Sequence, residues 1–467
     1  MNKHIIPLII IFIVFISDSF AQYQFTVRNY SMGRASTAAS YSIDAIGFNP
    51  ANIINQRSID TSVVDFSVAT NFGFMFDATF APLNLLDQYF TKNADGSKKY
   101  LNSDDKNDII EQVGNSPINS IGNIKPISVV VRTKAGTFGF GIEERVGGHF
   151  YFDKDFLEVA FFGNEVNRKY DFSELDFNTS WTRQISFSYA RKLDIKNNKN
   201  FKYINLGASF KPQLGFYYSE IINNNLWIFT NDSNQISGSG RMTLLYSGIS
   251  SERKLKPPLN NAGFGLGFDV GLSTTLENFF NIGKLNLGFS VTDIGYISWK
   301  SNAANYYYDG SFLITDITKK EQLDSLEDVI NGTRSPISGF TRMLPTTVRI
   351  GAQYKYYSDK QMRNGKTHSE DMELMSFALD YIQGFTDNYG GTTTPIVAFG
   401  YEINPLNFLS GRLGLVAGGR EKFELSFGLG VNAGAFSMDF GTYNILSVFA
   451  PKKTKNFSLG LNMNFKI

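Results

Sequence analysis

Acyl transfer of the serine type needs a histidine within reach of a hydroxyl nucleophile. Beyond Ala21 the chain keeps only His149 and His368. His149 lies in Gly147-Gly148-His149, which reads as a strand end, and His368 in the polar run Asn364 to Asp371. No G-x-S-x-G elbow is present, and neither histidine has a second ligand at metal spacing, as in H-x-x-E-H. Both read as surface residues. Asp104, Asp105, Asn107 and Asp108 offer the oxygens that hard cations prefer, but without the Gly and Glu of a calcium loop. They read as the solvated first turn of a short helix, capped by Ser103 and stopped by Gly114. No catalytic residue, metal ligand or cofactor is therefore assigned, and the chain is not expected to be an enzyme.

A second set of charged residues recurs on alternate positions: Glu143, Arg145, Asp269, Arg349, Asp380, Glu402, Arg412, Glu424 and Asp439. Both signs are present. Such a set pairs within itself and with whatever fills the space it faces. An open polar channel would tolerate it too. The glycines that share these positions favour a filled space, because missing side chains leave room.

The elements that must position these charges are strands of period two. Phe264, Leu266, Phe268, Val270 and Leu272 alternate with Gly263, Gly265, Gly267, Asp269 and Gly271. Phe423, Leu425, Phe427, Leu429 and Val431 alternate with Glu424, Ser426, Gly428, Gly430 and Asn432. The last run sets Phe457, Leu459, Leu461, Met463 and Phe465 against Ser458, Gly460, Asn462 and Asn464. Each apolar set is about as long as a tilted strand that crosses a bilayer. Apolar-out and polar-in is the pattern of a transmembrane barrel; a soluble sandwich would bury the apolar face instead. In 285–299 the alternation flips after Val291, which predicts a bulge at Thr292-Asp293. Tyr296 with Trp299, Tyr354 with Tyr356 and Tyr357, and Tyr217 with Tyr218 read as aromatics near strand ends. Polar connections lie between strands. Lys196 to Asn200 reads as a hairpin link, and Thr318 to Ile330 as a loop helix with a Thr318/Glu321 capping box.

Composition sets further bounds. Met1 to Ala21 has the layout of a secretory signal: Lys3, an apolar run from Ile5 to Ile16, and Ser19-Phe20-Ala21 as cleavage site. No later apolar run approaches the length of a membrane helix. The 467 residues contain no Cys, which excludes disulfides and thiolate metal sites. A net charge of +1 gives no case for nucleic acid. Mean hydropathy is slightly negative despite 15% aromatics, as expected when half of each strand is polar.

Ser31 to Ile54, between the signal and the first strand, is rich in small residues, almost uncharged and without strand alternation. It is too apolar for a solvated tail. Gly33, Ala35, Ala38, Ala39, Asp44 and Asn49-Pro50-Ala51 are similar to the N-terminal hatch of the FadL family. These are outer-membrane barrels that pass long-chain fatty acids and other hydrophobic compounds. Asn49-Pro50 itself is a turn signal. The runs GFGLGFDVGL (263–272) and LNLGFSVTDIGYISW (285–299) also resemble a group of Bacteroidota outer-membrane barrels known as a domain of unknown function.

The fold expected is all-β: a transmembrane antiparallel barrel of about 14 strands, with an N-terminal hatch in the lumen and short loop helices. Residues 1–21 would be the signal, 22–56 the hatch and 57–467 the barrel. Asp44, Asn49, Pro50 and Ala51 would either line a path through the hatch or hold its turns in shape. The resemblance implies passive transport of a hydrophobic small molecule, with outer-membrane lipid around the barrel and no cofactor. The alternative is a docking barrel resembling PorV of type IX secretion, whose partner would be a secretion-system or surface protein.

Overall fold

The computed structural model describes residues 26–57, 60–92, 96–97, 99–195, 201–248, 261–279, 283–315, 332–358, 372–386, 392–419 and 422–467. The signal, the Lys196 to Asn200 link, His368 and the Thr318 to Ile330 helix lie outside the described residues.

Fourteen strands form the wall. They are β1 (Val64–Ala78), β2 (Ser116–Thr133), β3 (Gly136–Phe152), β4 (Asp176–Asp194), β5 (Tyr203–Asn224), β6 (Gly263–Phe279) and β7 (Gly283–Trp299). The second half holds β8 (Thr347–Ser358), β9 (Met372–Gly384), β10 (Ile396–Leu406), β11 (Leu409–Gly418), β12 (Lys422–Asn432), β13 (Phe436–Thr442) and β14 (Asn456–Lys466). Each pairs antiparallel with its sequence neighbours. β14 returns to β1, from Asp65 opposite Lys466 to Asp77 opposite Asn456. The sheet thus closes on itself as a cylinder.

The two faces settle which way the pattern points. Phe268 is 47% exposed and Leu272 45%, while Asp269 between them is 1% exposed. Phe399, Leu413, Leu425 and Leu429 are likewise exposed, and Glu402, Arg412 and Ser426 buried. A water-soluble sheet would do the reverse, since exposing this much apolar surface to water is unfavourable. The exterior is made for hydrocarbon.

The two ends differ. At one end the connections are short, such as 134–135 and 433–435, and the chain end Ile467 accepts from Val63 N and Val64 N at 2.7 and 2.9 Å. At the other end long connections carry helices and a projecting hairpin layer. There Phe80, Leu85 and Tyr89 form an apolar cluster with Ile109 of the helix Ser103–Val113. Burial and the Asp108 carboxylate, which accepts from the Tyr89 hydroxyl, push that phenol up to about 12.

One expectation needs correction. The helix Ser103–Val113 is capped by Asn102, not Ser103: Asn102 Oδ1 accepts from Asp105 N at 2.9 Å, and Asp105 Oδ2 accepts from Asn102 N at 3.0 Å. A reciprocal box of this kind satisfies two otherwise unpaired donors. Trp299 ends β7, as the reading of aromatics near strand ends had it, but it and Tyr218 are buried, with ring centroids 5.3 Å apart. The bulge explains Trp299. Register shifts between Val291 and Ile294, and Asp293 takes φ 58. From there Ile294 and Tyr296 face outward, so Ile297 and Trp299 face in. His149, on β3, sits with Nδ1 2.9 Å from Asn119 Oδ1 and Nε2 3.7 Å from Asp176.

Candidate functional site

Residues 26–57 run inside the cylinder. The helix Val27–Ser31 opens the path, with Thr26 Oγ1 accepting from Asn29 N at 3.1 Å. Gly33 and Arg34 follow in the left-handed region at φ 60 and 71. A 3-10 turn Ser42–Ala45 and a second, Pro50–Ile54, complete it. Asn49 caps the second turn, since its Oδ1 accepts from Ala51 N at 3.1 Å. Its Nδ2 donates to Thr37 O at 3.0 Å and to Leu272 O of β6 at 3.1 Å. Asn49 thus ties turn, segment and wall together.

The wall meets this segment with glycines. Val27 lies against Gly441, Ser31 against Gly428, Gly33 against Gly414 and Met32 against Gly400. Thr37 lies against Gly288 and Gly351, Asn49 against Gly271, and Pro50 with Ala51 against Gly207. A Cβ on Gly441 would sit 2.8 Å from Val27 O, and one on Gly400 2.9 Å from Met32 O. Several of these glycines are cross-strand partners: 441 with 428, 414 with 400, 351 with 288, and 271 with 207. They form a seam on the inner wall that a backbone can press against.

The charges fall into groups. Glu402 and Arg412 face each other across β10 and β11, with Arg412 Nε 2.7 Å from Glu402 Oε2. Arg412 Nη1 reaches Asp439 at 2.6 Å, and Arg28 of the segment reaches Glu402 at 3.1 Å. On the opposite wall Lys211, fully buried, lies between Asp269 and Asp293. Arg145 links Asp293 at 3.6 Å to Glu143 at 3.3 Å. Asp380 Oδ2 accepts from Ser36 N, Thr37 N and Thr37 Oγ1 at 2.9, 2.7 and 2.6 Å. Arg349 stands over the Phe48 ring at 5.6 Å. Glu424 accepts from Asn444 Nδ2 at 2.7 Å, away from the other groups. Asp44 is buried in the first 3-10 turn and lies in the field of the like charge Asp439 and of Arg28 and Lys125. A cavity of about 20 Å³ between Tyr41, Asp44, Arg57, Arg412 and Asp439 has room for a water molecule.

Sequence reasoning missed Arg28, Lys125, Lys211 and Asp293 as lumenal charges. Lys211 stood on the polar side of its strand and was legible. Asp293 was hidden by the parity flip. Among the described residues no cluster of metal-ligand type occurs.

One stretch of wall is built differently. β13 ends at Thr442, opposite Phe427, while β12 runs on to Lys422. Beyond that point Ile445 N donates to Leu425 O at 2.7 Å, and hydroxyls bridge the rest. Ser458 Oγ accepts from Tyr443 N at 2.9 Å, Ser447 Oγ accepts from Ser458 N at 2.9 Å, and Thr442 Oγ1 donates to Ser458 O at 2.7 Å. Tyr443 points inward, buried, with Arg34 4.5 Å above its ring and Tyr30 5.8 Å away. Leu446, Val448 and Phe449, on the short helix after it, are exposed on the apolar exterior, and Phe449 packs edge-on against Phe427 at 6.0 Å.

Residues 50–442 match the model of a family described as "Family of unknown function (DUF5723)". The chain belongs to this family. No curated protein matches it. Among solved structures, it is similar to the Ralstonia pickettii toluene transporter TbuX at 12% identity and a TM-score of 0.47, over 95% of this chain and 98% of that one. It is also similar to a Pseudomonas aeruginosa FadL homologue at 11% identity and a TM-score of 0.42, over 96% and 99% of the two chains.

Proposed function

We propose that this member of the family is an outer-membrane channel for a hydrophobic small molecule, held shut by residues 26–57. The apolar exterior and polar interior support the membrane setting, with the long connections outside the cell and the short ones in the periplasm. A solute of bulk polarity has no open lumen to cross, because the segment fills it. The observation that carries the transport reading is the seam between β12 and β14. There the ladder gives way to side-chain bridges, which open more readily than a continuous run of backbone bonds. Leu446, Val448 and Phe449 line it on the lipid side and Tyr443 on the inner side. A hydrophobic molecule can leave by such a seam into the bilayer; a polar one gains nothing by doing so.

The chain has no cysteine, so a cross-link can be placed cleanly. Leu425→Cys with Ile445→Cys should, when oxidised, stop a hydrophobic dye such as N-phenylnaphthylamine from passing in proteoliposomes, and reductant should restore passage. The pair Leu413→Cys with Phe427→Cys, across the regular β11–β12 ladder, should leave passage unchanged. Passage through the oxidised seam at the unmodified rate would remove the sideways route.

A further inference from the structure

Asp380 on β9 stands opposite Gly351 of β8, two residues from Arg349 on the same inward face. The two side chains are diagonal neighbours, within the range over which long side chains meet. They form no ion pair here. Asp380 spends Oδ2 on three donors of the segment, from Ser36 and Thr37, while Oδ1 is buried with no hydrogen-bond partner. Arg349 is 7% exposed, and its Nε and Nη1 also lack partners. Its guanidinium stands 5.6 Å from the ring centre of Phe48, another residue of the segment, with Arg34, Asp293 and Asp269 the other charges that act on it. Gly351 leaves the ground near them clear: a side chain there would strike both Asp380 Oδ1 and Thr37.

Opposite charges left buried and unsatisfied are costly, and a carboxylate and a guanidinium can satisfy each other through two parallel bonds. We propose that Asp380 and Arg349 are a two-position latch: seated, the segment holds Asp380; withdrawn, Asp380 turns to Arg349 and the wall closes its own ion pair. The inference rests on the reading that residues 26–57 hold the channel shut, so that opening requires the segment to shift. Movement of residues 36–48 would remove the Ser36 and Thr37 donors from Asp380 and the Phe48 ring from Arg349 together. The carboxylate then exchanges three neutral donors for one charged, forked donor. The withdrawn state is not left with a bare buried carboxylate, and the seated state keeps an unfilled guanidinium as a standing bias toward release. Arg349 thereby acts on the segment through Asp380 and is a positioning residue.

The readout is exposure of the segment, not passage of cargo. A single reporter, Ser40→Cys, is buried when the segment is seated, and its labelling by a maleimide in the purified, inserted barrel measures withdrawal. In this background Arg349→Gln should slow labelling several-fold, because the withdrawn state loses its ion pair and the seated state loses an unsatisfied charge. Arg349→Lys should label close to the parent rate. Thr37→Val, which removes one donor to Asp380, should speed labelling. Arg349→Gln labelling at the parent rate or faster overturns the latch, since a residue that merely braces the segment gives that result. If Arg349→Gln does not insert, an unchanged rate in Thr37→Val overturns it instead. The seam cross-link is read by dye passage, so failure of the latch leaves that result standing, and the reverse.

Discussion

Arg28 Nη2 lies 3.1 Å from Glu402 Oε2, and both side chains are 4% exposed. One belongs to the segment in the lumen and the other to the wall. Glu402 is held from the other side by Arg412, which itself reaches Asp439. The segment therefore enters a buried ionic chain of Arg, Glu, Arg and Asp as its first member. Arg28 Nη1 also donates to Ala39 O at 2.5 Å, so one guanidinium fixes both the fold of the segment and its seat.

Arg28→Gln should loosen that seat without collapsing the wall, because Glu402 keeps Arg412. Loss of a hydrogen bond to a charged group costs about 1.5–3 kcal/mol. The segment should become sensitive to protease at a rate that Arg28 suppresses, while the barrel still runs as a compact, heat-modifiable band. Unchanged protection would mean that the glycine contacts alone hold the segment.

Gly414→Val places a branched side chain where Gly33 N and Met32 C now lie. The segment cannot yield sideways there, since Ser426 and the β11 backbone border the same spot. The expected result is an inserted barrel with its segment displaced and a leak of small polar solutes in liposomes. Deletion of residues 31–54 should leak in the same way. Gly411→Ala, whose added Cβ would meet nothing nearer than Ile403 Cγ2 at 3.5 Å, should stay sealed. A tight Gly414→Val barrel would show that the seam of glycines is not what admits the segment.

Phe427 faces outward in the middle of β12. Phe427→Arg puts a charge against hydrocarbon and should cost roughly 2–4 kcal/mol of barrel stability near the midplane. Ser426, its neighbour, is fully buried on the inner face beside Gly414. Ser426→Arg should therefore permit insertion but unseat the segment. Urea titration of folded barrel in liposomes, with protease cleavage of the segment as second probe, separates the two. Equal effects on both probes would contradict the assignment of faces.

The faces were legible because period two is a local property: each of Phe264 to Leu272 takes its side from its own strand. The bulge at Asp293 was legible for the same reason, as a break in a local rhythm. The inward turn of Trp299 was its consequence, since a side chain three residues past outward Tyr296 takes the other face. The Asn102 cap differs from Ser103 by one residue, and either side chain can serve an N-cap. What the residues could not disclose is pairing at a distance. Glu402 meets Arg412 only because β10 and β11 take one register, and Arg28 meets Glu402 across 374 positions. Asn49-Pro50-Ala51 stood out as a turn, and Asp44 as a hatch residue of either role, but nothing local says that Asn49 reaches Leu272.

The seam of glycines bears on how the molecule is made. The segment touches strands all round the cylinder, from Gly207 through Gly271 and Gly351 to Gly441. β1 and β14, first and last in synthesis, meet along their length to finish the ring. A peptide already shaped by Arg28, Asn49 and two 3-10 turns does not thread into a finished cylinder whose interior it fills. The ring is therefore expected to be zipped last, around an N-terminus that is already in place. The segment then acts as a mandrel during biogenesis, and a chain that closed without it would be a separate, hollow product that cannot convert by simple diffusion.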